Sequence, residues 1–164
     1  MKDTKELVVK YSEFTDENEL TSSEVELIRK AKEVLGSSYS PYSHFRVGAA
    51  VLLDNGKIVS GSNQENGAYP SGLCAERVAL FYAGAKYPNV PIVSMAIVAS
   101  YMDELTQLPI SPCGACRQVM MEYRNNAAKP FPVLMVGADK IVKVEDVRFL
   151  LPFSFSSAQD AAKK

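Results

Sequence analysis

The chain of 164 residues contains no tryptophan, one histidine and three cysteines. An odd, small number of cysteines cannot form the disulfide framework of a secreted domain, so metal binding or catalysis is the use to test for them. An excess of either charge is also missing: 18 Lys and Arg face 19 Asp and Glu, for a net charge of −1. That balance gives no electrostatic footprint for gripping the phosphates of DNA or RNA. No apolar run approaches the ~18 residues of a membrane span. The opening Met1-Lys2-Asp3-Thr4-Lys5-Glu6 carries acids and lacks the apolar centre of a secretory leader. The expectation is a protein of the cytoplasm, with neither membrane nor nucleic acid as partner.

What is present is an ordinary globular composition, 47% hydrophobic and 23% charged. A chain of this length suits one domain, 1–164, with a core large enough to need no disulfides. Residues 1–20 and 156–164 are polar or without motif and are expected to be loosely ordered tails; Leu7-Val8-Val9 reads either as an edge strand or as a surface segment. Thr21-Ser22-Ser23-Glu24 is a capping box, followed by Val25, Ile28, Ala31 and Leu35 at helical spacing, with Gly36 as the expected stop. Phe45–Leu53 and Lys57–Ser62 read as a hairpin about Asp54-Asn55-Gly56, because Asn-Gly accepts left-handed turn angles. A helix is expected over Cys74–Lys86, a strand over Pro91–Ser100 and a helix from Pro112 to Arg124. Two strands, Phe131–Gly137 and Lys140–Val144, and a short helix over Val144–Leu150 complete the chain. This alternation predicts an α/β fold, a three-layer α/β/α domain with a mixed sheet of about five strands.

The chemistry concentrates in Gly72-Leu73-Cys74-Ala75-Glu76-Arg77 and Ser111-Pro112-Cys113-Gly114-Ala115-Cys116-Arg117-Gln118. Each places a cysteine at the start of a helix, where partial positive charge and free amides favour thiolate over thiol. Cys113 and Cys116 share a helical face and can grip one ion, with Cys74 completing a three-sulfur set. Three protein ligands leave the fourth tetrahedral position of zinc open to water, the arrangement of a catalytic site. Glu76, two residues from Cys74, can flank the metal without ligating it and move protons.

These segments resemble the zinc deaminase signature, ligand-x-Glu followed by Pro-Cys-x-x-Cys. Cysteine as first ligand, followed by Ala-Glu-Arg, is similar to the tetrameric, three-cysteine cytidine deaminases. Tyr42-Ser43-His44-Phe45, Val47-Gly48-Ala49-Ala50, Asn63-Gln64-Glu65-Asn66 and Tyr69-Pro70 resemble that family's pattern in the same order, so the likeness runs from about Ala31 to Phe155. Gly67 departs from it, standing where the family commonly has alanine or serine.

The resemblance implies one Zn²⁺ per subunit on Cys74, Cys113 and Cys116, with Glu76 as the catalytic acid and base. It implies hydrolysis of cytidine and 2′-deoxycytidine to the uridine nucleosides and ammonia, in pyrimidine salvage, by a homotetramer. Asn63 and Glu65 would bind the ribose hydroxyls, the alternative being ordinary loop residues. A carboxylate accepts hydrogen bonds from hydroxyls but repels phosphate, so Glu65 favours a nucleoside over a nucleotide. Phe45 would pack on the pyrimidine, the Ala75 amide would hold the base carbonyl, and the Ser111 carbonyl would receive the leaving amine. Three thiolates on a divalent ion leave a net negative charge, which Arg77 could offset by donating to a sulfur; its alternative is a surface ion pair. Arg117 beside Cys116 is a second candidate for that role. Phe155 would reach an active site, in the tetramer a neighbour's, or else anchor the tail.

Two kinds of rival remain. A deaminase of a related aminopyrimidine, such as a blasticidin-type enzyme, shares the cysteine motifs but lacks the Asn63–Asn66 run. A deoxycytidylate deaminase would want histidine as first ligand and basic groups for phosphate, and a polynucleotide editor a basic, aromatic groove. A zinc-stabilised binding module without catalysis would instead close the metal site with His44 and leave Glu76 without a use.

Overall fold

The computed structural model describes residues 3–157. Helix α1, Ser22–Glu33, begins as expected: the Thr21 hydroxyl accepts from Glu24 N at 3.3 Å, and the Glu24 carboxylate accepts from Thr21 N at 2.9 Å. Its end differs from expectation. The chain tightens into a 3-10 turn, Val34–Ser37, which contains Gly36, and among described glycines only Gly56 has a positive φ. The helix therefore narrows to its close rather than ending on a left-handed glycine.

Among the described residues, seven strands form one sheet: β1 (Tyr11–Phe14), β2 (Phe45–Leu53), β3 (Ile58–Ser62), β4 (Ile92–Tyr101), β5 (Glu104–Leu105), β6 (Val133–Val136) and β7 (Ile141–Val144). Their order is β1-β7-β6-β4-β2-β3, with the two-residue β5 paired to the end of β4. The five expected strands are all present; β1 and β5 are additional. Strand β1 lies inside the N-terminal stretch expected to be loose, while Leu7, Val8 and Val9 are exposed and outside any strand. Its attachment comes from ladder pairing with β7 and from ion pairs Glu13–Lys140 (2.8 Å) and Glu17–Lys32 (2.6 Å), which no local pattern announces. Of the tail expected to be loose, residues 158–164 lie outside the described residues.

The hairpin between β2 and β3 is closed by Gly56 N donating to Leu53 O at 2.9 Å. Only Gly56 (φ 77°) is left-handed; Asn55 is not. Helix α2 (Ala75–Lys86) carries the chain from β3 over β2 to β4, and helix α3 (Gly114–Ala127) from β4 to its parallel neighbour β6. Parallel neighbours require such crossovers.

Period-two alternation along the strands builds the three layers. Val47, Ala49, Val51, Met95, Ile97 and Ala99 pack with Ala79, Leu80, Cys116 and Met120 of α2 and α3. Ala50, Ala96, Val98 and Leu134 face the other way, onto Leu27, Ile28 and Ala31 of α1. Two glycines set the separation of the layers. A Cβ on Gly48 would stand 2.1 Å from Ala31 O, and one on Gly61 would stand 2.8 Å from Ala79 N. Without side chains there, α1 and α2 lie directly on the sheet.

Candidate active site

Strands β3 and β4 run parallel, and their carboxyl ends feed the loops that start α2 and α3. In open α/β sheets this is where ligands bind, and the two helix N-termini converge there. Cys74 is the N-cap of α2 and Cys113 the N-cap of α3, with Cys116 one turn further on. The Sγ atoms of Cys74 and Cys113 are 3.8 Å apart and those of Cys113 and Cys116 3.5 Å. All three lie within 4.8 Å of one another. A tetrahedral ion with metal–sulfur bonds of ~2.3 Å requires sulfurs about 3.8 Å apart, so the donor set fits one zinc.

The electrostatics of the cluster are uneven. The Cys74 thiol is held far below its ordinary range, first by the hydrogen bond from the Cys116 thiol and then by the Arg77 guanidinium. Cys116 is pushed up by the same shared hydrogen bond and by burial. Arg77 Nη2 donates to Cys74 Sγ at 3.6 Å, while its Nε is buried with no hydrogen-bond partner among the described residues. The guanidinium therefore sits as the positive neighbour that a thiolate cluster needs. Arg117 does something else: its Nε donates to Pro112 O at 2.7 Å and its Nη1 to Leu150 O at 3.1 Å.

Glu76 follows Cys74 by two residues in the first turn of α2 and is only 4% exposed. Burial raises its carboxyl above the ordinary range, and the negative charge of Cys74 pushes in the same direction. A carboxyl group with raised proton affinity beside a metal cluster suits proton transfer near neutral pH. Both Glu76 and the sulfurs of Cys74 and Cys113 open onto a cavity of about 660 Å³.

The same cavity is lined by Phe45, Asn63, Glu65, Arg77 and Ser111, which the sequence places far apart. Ala75, buried at the first position of α2, is not on the lining; main-chain amides there have no partner within the helix. Asn63 is largely engaged: Oδ1 accepts from Ser38 Oγ (2.6 Å) and Val47 N (2.7 Å), and Nδ2 donates to Phe45 O (2.9 Å). One amide hydrogen is left for a ligand. Glu65 accepts from Tyr42 N (3.0 Å), from Ser43 N (3.3 Å) and from the Ser43 hydroxyl, which leaves a lone pair on Oε1. The Ser43 hydroxyl first, and the two amides after it, hold its carboxyl below the usual range. Both residues thus shape the turn at 42–45 as well as facing the cavity.

Phe155 and His44, the latter a ligand only in the rival structural-site reading, lie elsewhere. Phe155 is 77% exposed and is not on the lining of this cavity. His44, at φ 54°, faces a separate hollow with Arg46 and Asp103 and is not among the potential ligand atoms gathered round the sulfurs. The structure adds residues not singled out as binding groups from sequence. Tyr42 and Tyr69 meet edge to face at the cavity mouth, ring centroids 6.4 Å apart, and Leu73 and Ile110 line the wall. The two tyrosines stand within the recognised motifs, but only their exposure and convergence mark them as part of the rim.

Residues 21–129 match the family model described as the cytidine and deoxycytidylate deaminase zinc-binding region. A cytidine deaminase of Sporosarcina psychrophila is 40% identical over 130 residues, 79% of this chain and 89% of that protein. One from Halalkalibacterium halodurans is 38% identical over 131 residues, 80% of this chain and 92% of that protein. Among solved structures, the cytidine deaminase of Burkholderia pseudomallei superposes with a TM-score of 0.69 at 38% identity, over 83% of this chain and 100% of that one.

Proposed function

The chain belongs to the cytidine and deoxycytidylate deaminase family, and from that membership we propose that it hydrolyses the exocyclic C–N bond of free cytidine and 2′-deoxycytidine, giving uridine or 2′-deoxyuridine and ammonia. The observation that carries this reading is the buried carboxyl of Glu76 beside three converging sulfurs, with Glu76, Cys74 and Cys113 lining one cavity. Zn²⁺ is the cofactor, which Cys74, Cys113 and Cys116 would hold. When bound, it would act as a Lewis acid and lower the pKa of water toward ~7.

The chain's own residues do the rest. Glu76 takes a proton from the attacking water and delivers it to N3 of the base as the C4–O bond forms; it then carries the proton of the new C4 hydroxyl to the exocyclic nitrogen, so that the C4–N bond breaks and leaves the C4 carbonyl and ammonia. Its burial supports this, because a carboxyl with raised proton affinity gives and takes protons with little free-energy mismatch. The Ala75 amide, free at the helix start, holds the base carbonyl, and the Ser111 carbonyl accepts from the amine. Phe45 packs against the pyrimidine. Asn63 and Glu65 receive the sugar hydroxyls with the one donor and the one acceptor that their turn-building bonds leave over. Glu65 places a negative charge where a phosphate would have to pass, so the substrate is the nucleoside.

The protein works as a single domain in the cytoplasm, in pyrimidine salvage, as a homotetramer. Support for the first point is the one continuous sheet. Support for the last is that Phe155 is exposed and lies outside its own cavity, as a residue serving a neighbour would. No helix among the described residues is long and apolar enough to cross a membrane. A closed, purely structural Cys₃His site finds no support in the placement of His44.

The test is to follow ammonia release from cytidine, 2′-deoxycytidine and the 5′-monophosphate. Turnover of both nucleosides and little of the nucleotide is expected; turnover of the monophosphate alone would overturn the role of Glu65.

A further inference from the structure

The segment after the last 3-10 turn has no helix or strand of its own among the described residues, yet its main chain is held. Gln118 Oε1 accepts from Phe155 N at 3.0 Å and Gln118 Nε2 donates to Phe155 O at 3.0 Å. One side-chain amide thus meets both polar groups of one residue, the exchange two neighbouring β-strands make. The preceding residue of α3 grips the other end of the same segment: Arg117 Nη1 donates to Leu150 O at 3.1 Å, while its Nε holds Pro112 O, next to Cys113. Two consecutive side chains, directly after Cys116, therefore tie residues 150 and 155 to the turn of α3 that carries the sulfur.

We infer that Gln118 is a positioning residue for substrate binding: it fixes the backbone of Phe155 and so aims that ring outward, where it can close over a nucleoside. The inference rests on the role given to Phe155 above. Phe155 is 77% exposed, so packing among the described residues does not set the direction of its ring. What sets it is the orientation of its own main chain, and both hydrogen bonds that define this come from Gln118. Neither Gln118 nor Phe155 lines the cavity onto which Glu76 opens. The effect should fall on binding that is equal in ground and transition states, and so on KM rather than kcat.

The experiment compares the zinc-loaded wild-type protein, Gln118→Ala, Gln118→Glu, Phe155→Ala and the Gln118→Ala/Phe155→Ala pair, by steady-state kinetics on cytidine and by amide exchange at Phe155. Loss of two ordinary hydrogen bonds corresponds to on the order of tenfold. Gln118→Ala should raise KM and Phe155 amide exchange by about that factor, with kcat and zinc content unchanged. Gln118→Glu keeps the acceptor but loses the donor and should fall between. The pair should be no worse than Phe155→Ala alone, since both changes remove one device. Unchanged amide exchange in Gln118→Ala overturns the tether. A wild-type KM in that variant, or additive losses in the pair, overturns the positioning role. Absence of cytidine turnover by the wild-type protein would instead defeat the deaminase reading, and the exchange result would still decide the tether.

Discussion

Arg77 and Cys74 stand one helical turn apart at the start of α2, and the guanidinium donates from Nη2 to the cysteine sulfur at 3.6 Å. The relationship couples a charge to a metal ligand through the helix itself, since positions three apart share a face. Arg77→Ala removes one of the three hydrogen bonds that lower the Cys74 thiol, those with Cys116, Arg77 and Cys113. Weakening a group that supports a metal ligand typically costs ~10–100-fold in metal affinity or activity. Zinc loss to a chromogenic chelator should be faster in that variant, and equal rates would remove Arg77 from the site.

Glu76→Gln preserves shape and the sulfur set but cannot carry a proton. Turnover should fall by at least the ~10²–10⁴-fold typical of acid–base catalysis. Zinc content, measured by atomic absorption, should stay at the wild-type level. Near-normal kcat would assign proton transfer to another group.

His44 supplies a backbone bend rather than a ligand. Its φ of 54° lies in the left-handed region, where alanine is strained by about 1 kcal/mol or more. Histidine already carries the Cβ that causes this strain, so His44→Ala should keep metal and turnover with little change in melting temperature, and His44→Gly, which lacks it, should raise the melting temperature. Stoichiometric loss of zinc in either variant would instead indicate a closed Cys₃His site.

Asp146 and Arg124 form a paired-oxygen ion pair at 2.7 and 2.8 Å, with the Asp146 side chain 8% exposed, fastening α3 to the final 3-10 turn. Burial opposes ionisation of Asp146, but the Arg124 hydrogen bonds and the Arg148 amide outweigh it and lower its pKa from 3.8. The stabilisation is then present above the unfolded value and lost as pH falls through the folded one. Asp146→Asn should cost about 3 kcal/mol near neutrality, as removal of one partner of a buried pair does. The gap to the wild type should shrink below the ordinary aspartate pKa of 3.8, and urea melts at several pH values would read it. A gap independent of pH would mean that packing, not charge, holds this corner.

Gly61→Ala tests how the site is seated. The added Cβ would meet Val78 Cγ1 at 2.7 Å and Ala79 N at 2.8 Å. Overpacking of this kind costs typically 1–3 kcal/mol. Because the displaced helix begins at Cys74, thermal melting and zinc affinity should fall together; a loss of stability with zinc affinity intact would show that α2 pivots without moving its N-terminus.

What could be read along the chain was whatever depends on near neighbours. The Thr21 capping box, the Cys113–Cys116 spacing, Glu76 two residues after Cys74 and Arg77 three residues after it all use helical geometry within one turn. Alternating apolar residues in Phe45–Leu53 and Pro91–Ser100 likewise announce buried strands. The motif resemblance extended this to groups in separate segments, such as Asn63, Glu65 and Ser111, because it carries tertiary information gathered from other chains.

Direction and long-range closure were decided only by the folded molecule. Strand β1 has no strong pattern and exists because the edge of β7 and Lys140 receive it. Gly36 sits in a tightening 3-10 turn, without the positive φ of a left-handed cap. Asn63 spends its hydrogen bonds on Ser38, Phe45 and Val47 and Glu65 on Tyr42 and Ser43, and the Phe155 backbone is held by Gln118, 37 positions away. Local preference acts through a few bonds, whereas these arrangements depend on which surfaces the sheet brings within hydrogen-bond distance. The sequence by itself therefore determined which residues could bind metal and move protons, and the tertiary structure decided which partners remain free to meet a substrate.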